Sequence, residues 1–303
     1  MIHFADRLAE AVRAKRTPLC VGIDPRWESL PAALRREYGD GTLAGVTRAY
    51  EAFGLRVLDL VSPLVAVVKP QSAFFEACGP DGMRALQTTL RNARERGLLT
   101  ILDGKRNDIS STASAYADAA FDGTLVDGKR LPVWDADALT VNPYLGEDAV
   151  EPFLEAARRS GRGLFVLLRT SNPGAGRFQG LDCRGKPLYR HIAEAISEWG
   201  RSNRGSCGFG DVGAVVGATH ATEVAQLRQL IPDVWFLVPG FGAQGGSAAD
   251  VASAFRANRL GAIINSSRGI TFPFMPDDPQ WEQAILKAAR ETIAKLAEVV
   301  PAS

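Results

Sequence analysis

The sequence predicts a (β/α)8 barrel, the TIM-barrel class, built as a single domain over residues 1–303. Eight short apolar runs rich in β-branched residues recur along the chain, each almost continuous in apolar character, as strands buried on both faces are. Longer stretches with helical spacing lie between them, so strand and helix alternate. The polar residues gather where the apolar runs end. A doubly wound open sheet would also alternate, but no G-x-G-x-x-G follows the first run to hold a dinucleotide.

The elements follow in order. In "MIHFADRLAEAVRAKR" the spacing of Phe4, Leu8 and Val12 predicts an amphipathic helix over 1–16 that packs on the barrel, with His3 inside it. Acids among its bases make it unlike a signal or transit peptide. The first four strands are "PLCVGID" (18–24), "VAVVKPQ" (65–71), "LTILDGK" (99–105) and "ALTVNPY" (138–144). The last four are "GLFVLLRT" (163–170), "GAVVGAT" (213–219), "WFLVPG" (235–240) and "GAIINSS" (261–267). Helical spacing marks 44–61, 79–97, 146–161 and 221–231. The polar stretches 26–42, 121–137 and 172–188 read as loop elaborations of the one domain.

Composition narrows the function. Lys plus Arg (35) nearly balance Asp plus Glu (34), which speaks against nucleic acid or an anionic membrane as partner. An anionic ligand must then be held by a local arrangement. Cys20, Cys78, Cys183 and Cys207 are scattered, with no C-x-x-C, so reduced thiols in a cytoplasmic protein are expected rather than a disulfide or zinc scaffold. No apolar run reaches the ~18 residues of a membrane span.

In a barrel the chemistry sits at the C-terminal ends of the strands. Those ends carry Asp24, Lys69, Asp103 with Lys105, Asn142, Thr170 with Ser171, His220, Pro239-Gly240, and Ser267 with Arg268. Strand alternation puts Asp103 and Lys105 on the same side, and Lys69 arrives from the neighbouring strand. Asp108 falls just past the strand, before a Ser-Ser-Thr that can cap the next helix. Such a balanced cluster fits either a stabilising ion network or a catalytic array. "VPGFGAQGGS" (238–247) and "NSSRG" (265–269) follow strands seven and eight, where barrels hold phosphate: glycines expose N–H groups and Arg268 adds a bidentate cation. Gly240, Gly242, Gly245 and Gly246 would let that loop close as a lid. His3 and His191 read as surface or packing residues, and His220 is unassigned. No Ser-His-Asp order, GxSxG elbow, Walker loop or HExxH is present.

"DGKRNDISST" resembles the DxKxxDIxxT signature of the orotidine 5'-phosphate decarboxylases. "GID", "VKP", "PGFGAQGG" and "SSRG" match the same family in order, over essentially the whole barrel, and the length and extra loops resemble its long bacterial subgroup. The resemblance implies conversion of orotidine 5'-monophosphate (OMP) to uridine 5'-monophosphate (UMP) and carbon dioxide in pyrimidine synthesis, without metal or organic cofactor. It implies Lys105 as proton donor to C6, Asp103 facing the substrate carboxylate, Lys69 holding the charged network and contacting ribose, and Asp24 on a ribose hydroxyl. Asp108, with Ile109 and Thr112, is implied to enter the other subunit's site in a homodimer. Thr170 or Ser171 would contact the pyrimidine, Gln244 and Arg268 would grip the phosphate, and Pro239 and Ser267 would be among the substrate-binding residues. Ser267 stands where some relatives have Gly, a departure expected to touch only a backbone contact. The alternatives are a metal-dependent sugar-phosphate decarboxylase or aldolase of the same superfamily, which would carry an acid at Lys69, and a non-catalytic nucleotide-binding barrel.

Overall fold

All eight apolar runs are strands of one closed parallel barrel in the computed structural model, which describes residues 2–218, 221–241 and 248–300. The strands are β1 Leu19–Ile23, β2 Val67–Pro70, β3 Leu99–Arg106 and β4 Ala138–Val141. They continue as β5 Gly163–Arg169, β6 Val212–Val216, β7 Phe236–Val238 and β8 Ala262–Ser266. Each pairs with its neighbours in chain order, and β8 closes on β1 with Cys20 opposite Asn265.

Burial on both faces explains why the runs are nearly unbroken. One set of side chains fills the barrel: Cys20, Val67, Ile101, Phe165, Val215, Trp235, Leu237 and Ile263 belong to a single interior cluster. The opposite set packs outward, where Val21, Val68, Leu102, Leu139, Phe236 and Ile264 meet the surrounding helices. The helix Phe4–Lys15 closes the N-terminal end, since Phe4, Leu8 and Val12 join the interior cluster. Gly163 makes room for it: a Cβ there would come within 2.1 Å of the Phe4 ring. His3 is not in this helix but caps it, its Nδ1 accepting from the Ala5 N–H at 3.2 Å. The same end is tied electrostatically, with Asp137 accepting from Arg7 at 2.5 Å, from Arg162, and from the Thr100 N–H at 2.9 Å. Charge at this end serves stability, leaving the opposite end for chemistry.

Helices occupy Leu43–Val61, Gly79–Glu95, Glu147–Arg159 and Ala221–Leu230, close to the spaced stretches. The three polar stretches are more ordered than plain loops. The first carries a helix at Ala32–Tyr38, the second a hairpin of Thr124–Val126 with Lys129–Leu131, and the third a short helix, Gly176–Gln179, and a hairpin of Asp182–Cys183 with Lys186–Pro187. The Ser-Ser-Thr expectation fails: the helix is Ser110–Ala120, and its cap position falls on Ile109, whose apolar side chain makes no capping bond.

Candidate active site

The site is built on an irregularity in β3. Leu102 pairs with Leu139 and Arg106 with Val141, so the three residues 103–105 face Thr140 alone. This bulge carries Lys105 into the left-handed region, φ 44°. Asp103 and Lys105 do share a side, but through this bulge and not through regular pleating. Lys105 Nζ lies 2.7 Å from Asp103 Oδ1.

Asp103 is the hub. Its Oδ2 accepts from Lys69 Nζ at 2.5 Å and Gln71 Nε2 at 2.9 Å, while Oδ1 accepts from Lys105 Nζ and from the Thr140 hydroxyl at 2.9 Å. The Thr140 hydroxyl in turn accepts the Lys105 backbone N–H at 2.9 Å. Lys69 and Asp103 are buried, whereas the Lys105 side chain is 45% exposed and reaches the cavity.

Burial alone would raise the Asp103 pKa, but Lys69 and Lys105 overturn it and hold the carboxyl well below the ordinary range. Burial alone would likewise lower the Lys69 pKa, but Asp103 and Asp24 push it above the usual lysine value. The signs follow from linkage. Asp103, lowered on folding, contributes stability present above roughly pH 4 and lost as pH falls through its folded value. Lys69, raised on folding, contributes stability present below roughly pH 10.5 and lost as pH climbs through its folded value. The pair is therefore ionised across the whole neutral range. Beneath it, burial pushes the Cys20 thiol up to about 12, so it is a neutral packing group and no nucleophile.

Above this floor opens a cavity of about 490 Å³. Asp24, Lys69, Asp103, Lys105, Thr170, Ser171, Pro239, Ser267 and Arg268 all line it, as the strand ends foretold. Asp24 Oδ1 is buried with no hydrogen-bond partner among the described residues. The Thr170 hydroxyl is already committed, donating to Asn172 at 2.6 Å and accepting from Gln179 at 2.8 Å.

The Ser267 side chain has a packing role besides the backbone contact expected of it. A Cβ on Gly22 would lie 1.9 Å from Ser267 Oγ and 3.2 Å from its Cα, so the serine occupies the space that the "GID" glycine leaves. The two ends of the barrel seam interlock there.

Other assignments fall elsewhere. Asp108, Ile109 and Thr112 do not line this cavity; Asp108 accepts from the Ile109 N–H at 2.8 Å, and Ile109 is 50% exposed. Asn142 does not line it either, its side chain instead accepting from the Tyr144 N–H at 3.0 Å to shape the turn. His220, Gln244 and the lid glycines Gly242, Gly245 and Gly246 lie outside the described residues. Six polar cavity residues escaped the sequence reading: Arg26, Gln71, Thr140, Asn172, Gln179 and Asn265. Strand alternation from Lys69 and Ser267 would have found Gln71 and Asn265; nothing in the sequence marked Gln179. Among the described residues no three His, Cys, Asp or Glu side chains gather as a metal-binding group.

Comparison with known proteins agrees with this geometry. Residues 17–273 match the model of the "Orotidine 5'-phosphate decarboxylase / HUMPS family". An orotidine 5'-phosphate decarboxylase of Rhodopirellula baltica is 46% identical over 95% of this chain and 97% of its own length. One from Caldicellulosiruptor saccharolyticus is 39% identical over 90% of this chain and 91% of its own. The solved structure of Leishmania donovani OMP decarboxylase superposes with a TM-score of 0.75 at 32% identity, over 98% of this chain and 99% of that one.

Proposed function

Because the chain belongs to the orotidine 5'-phosphate decarboxylase family, a family of carbon–carbon lyases, we propose that this cavity decarboxylates OMP to UMP. The observation that carries the reading is the Lys69–Asp103–Lys105 array on the cavity floor. The bond from C6 to the carboxylate breaks, carbon dioxide leaves, and the electron pair stays on C6. The Lys105 ammonium then gives its proton to C6, and the resulting amine recovers a proton from solvent. No imine or thiazolium delocalises that carbanion, so the barrier reduction demanded is ~23 kcal/mol, the top of the usual range. Charges fixed before the reaction supply it without reorganisation: Lys105 faces the developing anion, and Asp103 holds Lys105 and Lys69 in place.

Remote binding energy organises the site. Asp24, with its unpartnered Oδ1, is suited to a ribose hydroxyl, and Lys69 beneath it to the same sugar. Thr170 and Ser171 both line the cavity, and one of their hydroxyls is suited to the pyrimidine. Arg268, exposed at the rim beside Pro239, is suited to the phosphate; Gln244 is its proposed companion. Gly22 bears on that grip. Gly22→Ala is expected to displace Ser267, and Arg268 with it, weakening UMP binding about tenfold, ~1.4 kcal/mol. Adding Ser267→Gly should restore most of the affinity. Calorimetric titration of the single and double variants checks this, and an undiminished affinity in Gly22→Ala would refute the interlock.

The proposed homodimer with shared sites is supported by Asp108 and Thr112 standing outside their own cavity and by the exposed apolar side chains Ile109, Tyr116, Tyr144 and Leu145 after β3 and β4. Four free cysteines favour the cytoplasm. No helix among the described residues is long and apolar enough to cross a membrane.

Lys69 also separates this reading from metal-dependent chemistry: a buried cation bonded to Asp103 repels a divalent ion from the second strand's end. Exhaustive dialysis against EDTA is expected to leave OMP turnover unchanged, with added magnesium giving no gain. A rate that collapses and returns with magnesium would favour the metal-dependent alternative. Tight UMP binding without turnover would favour the non-catalytic barrel.

A further inference from the structure

We propose that Thr140 is a positioning residue that holds Lys105 and Asp103 in register for proton transfer; the inference rests on the decarboxylase reading above. The argument begins with the bulge. Where three residues of β3 face one residue of β4, the ladder cannot supply every backbone partner, and the Lys105 N–H is left facing a side chain. That side chain is Thr140, the residue directly opposite. Its hydroxyl has one proton and two lone pairs, and the structure uses both kinds of capacity: it accepts the Lys105 N–H at 2.9 Å and donates to Asp103 Oδ1 at 2.9 Å.

One buried hydroxyl thus fixes two things at once. It stabilises the left-handed backbone of Lys105, φ 44°, from which the ammonium is aimed. It also fixes the rotation of the Asp103 carboxylate, because Oδ1 receives Thr140 and Lys105 while Oδ2 receives Lys69 and Gln71. A methyl group in place of the hydroxyl leaves the Lys105 N–H unpaired and takes from Asp103 Oδ1 one of its two donors. Thr140 is 1% exposed and lines the cavity together with the apolar residues Leu167, Val215 and Leu237, so a lost hydroxyl leaves its partners in a largely desolvated place.

Three variants test the assignment: Thr140→Val, nearly isosteric without the hydroxyl; Thr140→Ala, also without it but smaller; and Thr140→Ser, which keeps it. Thr140→Val is expected to lower kcat roughly 10- to 100-fold, the scale of a misplaced reacting group. Its affinity for UMP, measured by titration, should stay within about twofold, because the ribose and phosphate contacts lie elsewhere. Thr140→Ser should recover most of kcat. Thr140→Ala reports the same loss should the valine variant fail to fold. A merely structural role would lower the melting temperature and UMP affinity together with kcat, and the serine variant would fail alongside the valine. Either that pattern or a wild-type kcat in Thr140→Val overturns the assignment. Wild-type protein that leaves OMP intact in the same assay would instead bring down the decarboxylase reading, and this inference with it.

Discussion

Lys105→Ala is expected to lower kcat/KM for OMP by at least about 10⁴-fold while the protein stays folded. The substitution removes the proposed proton donor, and the cation proposed to face the developing carbanion, in one step. It does so cleanly, for reasons visible in the structure. The Lys105 side chain is 45% exposed, so alanine opens no core cavity, and a left-handed backbone there strains alanine no more than lysine. Asp103 keeps Lys69, Gln71 and Thr140, so its charge remains compensated. The same cannot be said of Lys69→Ala, which strips a buried carboxylate of its nearest cation and confounds chemistry with folding. A thermal melt and a UMP titration run beside the kinetics separate the two effects. Lys105→Ala with activity within tenfold of wild type would remove Lys105 from the chemistry.

The second large effect is a recovery. Lys105→Ala and Asp108→Ala homodimers are each expected to be nearly inactive, and mixing them after dissociation should restore activity. In a mixed dimer one site takes Lys105 from one chain and Asp108 from the other, and is intact; its twin lacks both. Random reassortment of equal amounts makes half the dimers mixed, so about a quarter of wild-type activity should return. The structure motivates this. Asp108 lies within a few residues of β3, yet it does not line the cavity of its own chain, and Ile109 and Thr112 are exposed. Mixed dimers verified by mass spectrometry but still inactive would put Asp108 to work within its own chain, or outside catalysis.

The strand ends were legible in the sequence because parallel strands are buried on both faces, which makes an apolar run and a charged terminus stand out against each other. Asp24, Lys69, Asp103, Lys105, Ser171 and Arg268 could be read that way, and all line one cavity. Thr140 could not. A lone hydroxyl inside "ALTV" looks like ordinary β-branched filler, and its partners depend on a bulge in the neighbouring strand that no periodicity records. The Gly22–Ser267 interlock was hidden for a different reason: its halves lie at opposite ends of the chain and meet only when β8 closes on β1. Asn142 was misread because it follows an apolar run, whereas the chain has already turned there and the side chain serves the turn. The two small hairpins, of which Thr124–Val126 is wholly exposed, carry no buried face and so left no pattern.

The central claim is that this cavity turns OMP into UMP, and product analysis tests it most directly. Purified protein is mixed with excess OMP, the ultraviolet absorbance is followed, and UMP and carbon dioxide are quantified at the end. The account predicts loss of substrate absorbance over many turnovers, with one UMP and one carbon dioxide formed for each OMP consumed. OMP recovered intact after incubation with folded, UMP-binding protein would contradict it.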